Sequence, residues 1–218
     1  MTKSELLFEK FCQVHCIRYE RILPGAAKTP DYEIYVDETK IIIEVKEIDA
    51  NADEKQKIKE FDAQGTISIK NRLGKRICDK ITDAAGKFKN SVLNGHPSVL
   101  VLYNKVRLYK HTSPGDILAG MYGQLYFPVF GNPGESLKIG EMKSGPKKKM
   151  TPDVNTSISA VGVLEESSSG DPHLSIYHNF HAKVHLDPLL LSRFSIKSFR
   201  VNDPKNPTGW VEIEKRLQ

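Results

Sequence analysis

Residues 30–46 read Pro30-Asp31-Tyr32-Glu33-Ile34-Tyr35-Val36-Asp37-Glu38-Thr39-Lys40-Ile41-Ile42-Ile43-Glu44-Val45-Lys46, and the rest of the chain can be arranged around them. Asp31 to Val36 and Lys40 to Ile48 are two β-rich runs, and Asp37-Glu38-Thr39 is the short polar turn that makes them a hairpin. The second run is nearly continuous in apolar residues, the pattern of a central strand covered on both faces. Two charges inside such a strand call for a reason. Residues two apart on a strand project from one face, so Glu44 and Lys46 point together. A turn centred near Glu38 sets Asp31 opposite residue 44, 45 or 46, and the first or last of these registers brings its carboxylate to the same face. Asp31, Glu44 and Lys46 are thus expected to converge on one face of a hairpin at a sheet edge. Two clustered carboxylates repel unless a cation lies between them, and hard oxygen ligands favour Mg²⁺ or Mn²⁺. The plain alternative is a Glu44–Lys46 ion pair on a half-exposed strand.

Context singles out this triplet. The chain contains five acidic-x-Lys triplets, starting at Glu38, Glu44, Asp53, Glu141 and Asp203, and Pro-Asp pairs at 30 and 152. Only the triplet at Glu44 sits in a strongly apolar strand, and only Pro30-Asp31 opens its partner.

Outward from the hairpin, Ser4 to Cys16 reads as a helix with Ser4 as N-cap and Leu7, Phe8, Phe11, Cys12 and His15 as its buried stripe. Ile17 to Leu23 alternates as a strand and stops at Pro24-Gly25. Arg76 to Asn90 is a second helix, with stripe Ile77, Ile81, Ala84 and Phe88. Pro97 to Tyr103 and Ser157 to Leu164 are strands, with Leu174 to Tyr177 and Phe194 to Val201 as late ones. The fold class is therefore α/β, a mixed central sheet flanked by helices. Residues 112–153 hold twelve of the 27 Gly and Pro residues and end in Lys147-Lys148-Lys149. One domain is expected, with a core from 1–104 and 156–218 and a Gly/Pro/Lys-rich insertion at 105–155.

The 218 residues carry 32 Lys plus Arg against 27 Asp plus Glu, a formal charge of +5, with 39% hydrophobic residues and a mean hydropathy of −0.40. That composition suits a soluble globular chain with no membrane span and no apolar leader, expected in the cytoplasm. Cys12, Cys16 and Cys78 form no C-x-x-C pair and read as packing residues. Charge is unevenly spread: Lys70 to Lys89 holds seven cations against two acids, whereas Glu44 to Asp62 holds seven acids against four lysines. An acidic focus beside a basic stripe suits metal-dependent chemistry on a phosphate chain. There is no Gly-rich phosphate loop, so no nucleotide cofactor is indicated. His173, His178, His181 and His185 lack a zinc spacing, and His178-Asn179-Phe180-His181 is read as a hydrogen-bonded loop closure. Trp210 is read as a packing anchor for the tail.

Helix, strand, Pro30-Asp31 hairpin, Glu44-Val45-Lys46 strand and basic helix together resemble the PD-(D/E)xK superfamily, the restriction endonuclease-like nucleases that include archaeal Holliday junction resolvases. The resemblance covers about residues 4 to 104, with the strand at 157–164 as a further candidate. It implies a restriction endonuclease-like core and Mg²⁺- or Mn²⁺-dependent hydrolysis of phosphodiester bonds in DNA, in restriction or phage defence. Asp31 and Glu44 would be metal ligands, the Val45 carbonyl a third, and Lys46 the group that orients the attacking water. The family often adds a glutamate from the first helix; helical geometry prefers Glu5 to Glu9, although the helix dipole alone also favours an acid there. Arg76, Lys80 and Lys87, at spacings of 4 and 7, would put a phosphate-contacting row beside the metal. A structure-specific junction nuclease and a non-catalytic nucleic-acid-binding subunit are the alternatives, DNA against RNA is open, and a double-strand cut by a single-site enzyme suggests a homodimer.

Overall fold

The computed structural model describes residues 1–23, 25, 28–66, 68, 72–90, 94–132 and 136–214. Pro24 and Lys70, which mark the strand end and the start of the basic stripe above, lie outside them.

The hairpin forms as its alternation dictates. β2 (Tyr32–Val36) and β3 (Thr39–Ile48) pair antiparallel with Tyr32 opposite Ile43 and Val36 opposite Thr39, and Asp37 takes the turn at φ 52°. β1 (Arg18–Arg21) adds to the outer side of β2, and β4 (Ser98–Asn104) runs parallel to β3 on the other side. β9 (Ala160–Glu166), β10 (Pro172–His178), β11 (Lys197–Val201) and β12 (Trp210–Glu212) complete an eight-stranded mixed sheet of order β1-β2-β3-β4-β9-β10-β11-β12. Four short strands stand apart from it: β5 (Leu125–Tyr126), β6 (Val129–Phe130), β7 (Lys138–Ile139) and β8 (Lys143–Ser144). β3 lies inside the sheet, not at its edge, because β1 and β2 cover one flank and five strands the other.

The period-2 alternation of β3 and β4 divides the core in two. Ile41, Ile43 and Val45 with Val99 and Val101 meet α1 (Lys3–Val14) through Leu7, Phe8, Phe11 and Cys12. Ile42, Ile48, Leu100 and Leu102 meet α3 (Lys75–Ala85) through Ile77, Ile81 and Ala84, and α4 (Pro114–Tyr122) through Ile117, Leu118 and Met121. Glu44 and Lys46 belong by parity to this second face.

Several sequence expectations shift. α1 is capped by Thr2 rather than Ser4: the Thr2 hydroxyl accepts the Glu5 N–H and the Glu5 carboxylate accepts the Thr2 N–H, a capping box that lets Ser4 turn inward and be buried. The second helix ends at Ala85, where Gly86 caps it, so Lys87 lies in the following turn. Cys16 is exposed at φ 53° and is not a core packing residue. Residues 105–155 divide: Val106, Ile117, Met121, Tyr122 and Met150 are core residues, whereas the short strands β5 to β8 between them are largely exposed. Gly120 presses against Ile77, where a Cβ would come within 2.4 Å of its side chain, and Gly74, at φ 72°, sits equally close to the Gly120 backbone. Asp116 ties the two helices, accepting the Gly74 N–H at 3.0 Å and the Ser113 hydroxyl at 2.6 Å. α2 (Ala52–Gln64) was not foreseen and has no buried residue. Trp210 does anchor the tail, with its ring 4.9 Å from Tyr177 and its N–H donated to the Pro114 carbonyl.

Candidate active site

Asp31 stands just before β2, beyond the last registered pair of Tyr32 with Ile43. Its N–H donates to the Ile43 carbonyl at 3.0 Å, and its Oδ2 accepts the Val45 N–H at 2.8 Å. The carboxylate thus replaces the next residue of β2 as partner for β3. β4 takes the backbone groups of the even-numbered residues of β3, as at Ile42 N–H and Ile48 carbonyl, so the Val45 peptide groups face the β2 side. In an extended strand the carbonyl points with its own N–H, which directs the Val45 carbonyl past the end of β2 toward Asp31.

Glu44 is wholly buried at 0% side-chain exposure, with Lys46 at 29%, Asp31 at 22% and Lys87 at 17% around it. The Lys46 and Lys87 ammonium nitrogens each lie 2.6 Å from Glu44 Oε1, and Lys87 Nζ is also 4.0 Å from Asp31 Oδ1. Glu44 Oε1 and Asp31 Oδ1 are therefore no further apart than these two contacts laid end to end, under the about 8 Å beyond which the two carboxylates could not share a site. Both ammonium groups approach Oε1 as ion-pair partners outside good hydrogen-bonding directions, and Glu44 Oε2 has no hydrogen-bond partner among the described residues. Burial raises the Glu44 pKa; the two lysines oppose this and the Asp31 charge adds to it. Burial pulls Lys46 down, but contact with Glu44 and the field of Asp31 outweigh it and its pKa rises. A buried carboxylate with an oxygen that has no hydrogen-bond partner among the described residues is open to a cation.

The sequence-predicted residues divide clearly. Asp31, Glu44, Val45 and Lys46 come together. Glu5 does not join them: it rides on α1 at the opposite face of the sheet, where its carboxylate is taken by the Thr2 N–H at 2.8 Å and by Arg21 at 3.2 Å. Glu9, its rival, accepts the Tyr32 hydroxyl at 2.8 Å. The expected row Arg76, Lys80 and Lys87 lies on the correct face but is not a row. Arg76 donates to the Asp49 carbonyl and stands 3.8 Å from Glu54, closing the β3–α2 junction, and Lys87 enters the carboxylate cluster. Helical periodicity places Lys87 beside the site but does not foretell its contacts with Glu44 and Asp31. Its adjacent Phe88, fully buried in the α3-side core, anchors the turn that delivers it. Among the described residues, no three His, Cys, Asp or Glu side chains cluster as a ready-made metal site; the group here is two carboxylates and a carbonyl direction.

Comparison with protein-family models, with curated proteins and with solved structures finds no match for this chain. No described helix is long and apolar enough to cross a membrane.

Proposed function

We propose that the chain is a metal-dependent nuclease of the restriction endonuclease-like class that hydrolyses phosphodiester bonds in DNA, with Asp31, Glu44, Val45 and Lys46 as its working residues. The observation that carries the reading is Glu44, a fully buried carboxylate whose Oε2 has no hydrogen-bond partner among the described residues, set beside Lys46 and joined to Asp31 through the shared contact with Lys87. A carboxylate is costly to bury, and an ion pair with Lys46 alone would be satisfied equally well at the surface. The donor set of two carboxylates and a carbonyl suits Mg²⁺ or Mn²⁺.

When bound, the ion supplies Lewis-acid activation of water and neutralises charge developing on the phosphate. The protein's share is positional. Asp31 is fixed by the Val45 N–H, which leaves Oδ1 directed at the cluster. Lys46, strand-mounted and part-exposed, can orient a water or a phosphate oxygen at the mouth of the site. Lys80, on the same side of the sheet, supplies positive charge for the phosphate chain.

The test is a cleavage panel of linear, branched and modified DNA with Mg²⁺ or Mn²⁺, run with wild type, Asp31→Asn and Lys46→Met. Cleavage by wild type alone supports the reading. Absence of cleavage on every substrate removes it in favour of a nucleic-acid-binding subunit, a reading favoured by one observation: Lys46 and Lys87 already balance the charge of Asp31 and Glu44.

A further inference from the structure

After α4 the chain leaves the body as a narrow two-stranded ribbon. β5 pairs with β8, Leu125 opposite Ser144 and Tyr126 opposite Lys143; further out β6 pairs with β7, Val129 opposite Ile139 and Phe130 opposite Lys138. Its base is fixed. The Gly145 N–H donates to the Gln124 carbonyl, the Ser144 N–H to Asn206 Oδ1 at 3.0 Å, and Asn206 Nδ2 to the Met142 carbonyl at 3.0 Å. Beyond that base no described residue from Tyr126 to Ser144 is buried.

The ribbon is nonetheless apolar. Tyr126, Phe127, Val129, Phe130, Leu137 and Ile139 are 46% to 73% exposed. A lone two-stranded ribbon is marginal in water, because its side chains have no second layer to pack on. Six large side chains, five of them more than half exposed and each worth roughly 150–200 Å² when aromatic, offer several hundred Å² per chain, which approaches the ~800 Å² per partner of a stable interface. A patch of that size on a soluble chain marks a contact surface.

Charge decides the occupant. Between Gly123 and Pro146 the sequence holds Lys138 and Lys143 against Glu135 and Glu141, a net charge of zero. A polyanion would gain nothing from such a surface, since nucleic-acid affinity comes mainly from cations on phosphates. The Lys147-Lys148-Lys149 run lies at the ribbon's base, not on it. A neutral apolar ribbon meets another copy of itself without repulsion, and a two-fold arrangement sets the cross-strand pair Val129 and Ile139 of one chain against the same pair of the other.

We propose that the ribbon of residues 125–132 and 136–144 is a dimerisation arm whose occupant is the ribbon of a second copy of this chain. This does not depend on the nuclease reading. The test is sedimentation equilibrium of the full chain against a Val129→Lys/Ile139→Glu double variant. Both positions are exposed, and the opposite charges keep the cross-strand pair favourable, so the ribbon itself is preserved. Circular dichroism and a denaturation midpoint equal to wild type establish that the variant is folded. A wild-type dimer in the micromolar range, with at least tenfold weaker association in the folded variant, is the expected result. Wild type that stays monomeric up to about 100 µM, or a variant that dimerises as tightly as wild type, overturns the proposal. Monomeric wild type whose double variant loses duplex DNA binding also overturns it, and gives the ribbon to nucleic acid as a wedge. If the double variant refuses to fold, Phe127→Ser, at another exposed position, repeats the measurement under the same criteria.

Discussion

Lys87 Nζ lies 2.6 Å from Glu44 Oε1 and 4.0 Å from Asp31 Oδ1, so one ammonium group spans the two carboxylates, while Lys46 reaches Glu44 alone. Opposite charge between clustered carboxylates is what allows both to ionise, and Lys87 supplies it from outside the strand pair. In a metal-binding site, an ammonium in that position competes with the divalent ion. Lys87→Met is therefore expected to tighten Mn²⁺ binding about tenfold or more, which is ~1.4 kcal/mol. Lys46→Met should gain less, and Asp31→Asn should abolish binding. Titration calorimetry with Mn²⁺ on the three variants checks this. Equal gains from both lysine variants would mean a general charge effect and no competition at the Asp31–Glu44 position.

Arg76 and Lys80 are grouped by spacing and both lie near Asp49, whose carboxylate feels the Lys80 charge, but their contacts differ. The Arg76 guanidinium bonds the Asp49 carbonyl and nears Glu54, whose Oε1 also lies 2.6 Å from His111 Nε2. Because α2 has no buried residue, such polar links hold it. Arg76→Ala should lower hydrogen-exchange protection of the α2 amides and leave the salt dependence of DNA binding unchanged. Lys80→Ala should reduce that salt slope by up to ~0.9 and leave exchange alone. Measuring both quantities on both variants distinguishes tether from phosphate contact; the reverse assignment would refute it.

The helix–helix contact beneath the site gives a stability test. A Cβ on Gly120 would lie 2.4 Å from Ile77 Cβ and 2.5 Å from its Cγ2, at the crossing of α3 and α4. Ile77 is fully buried and Gly74 blocks retreat on the other side, so the overlap can be relieved only by parting the helices. Gly120→Ala should destabilise by about 1–3 kcal/mol despite the better helix propensity of alanine. Urea denaturation reads the change, and a neutral or stabilising effect would show that the helices are not held this closely.

What the sequence revealed of this molecule was what is local or periodic. The hairpin, its turn and the shared face of Glu44 and Lys46 follow from period-2 alternation, which survives any tertiary arrangement. The α1 stripe of Leu7, Phe8, Phe11 and Cys12 follows from period 3.6 in the same way. α4 was hidden because Pro114, Gly115 and Gly120 look like loop residues, although Pro at the first turn and Gly at a close crossing are compatible with a buried helix. α2 was hidden because it lacks an apolar stripe altogether. Helical spacing extrapolated past Gly86 puts Lys87 in a phosphate-contacting row beside the metal, whereas the turn after the helix, pinned by Phe88, swings it into contact with the carboxylates themselves. Glu5 was misjudged because flank angle on a helix says nothing about which face of the sheet that helix covers.

His178 provides a pH test remote from the site. It lies at the end of β10, where Nε2 is buried without a hydrogen-bond partner among the described residues. Burial pushes its pKa down to about 4; the neighbouring Asp187 charge opposes this and His185 adds to it. The unfolded chain takes up the proton near the ordinary histidine value of about 6.5. Between about 4 and about 6.5 the unfolded state thus binds more protons than the folded one, and stability falls as pH falls. Above that window the contribution is flat. The slope due to this residue is at most about 1.4 kcal/mol per pH unit, the value for one proton. His178→Gln cannot take up that proton, so its unfolding free energy should fall less than that of wild type between pH 7.5 and 5. Denaturant titrations of both proteins at the two pH values supply the comparison, with the remaining histidines common to both. Parallel losses in wild type and variant would mean that His178 is already protonated, or already solvated, in the folded protein.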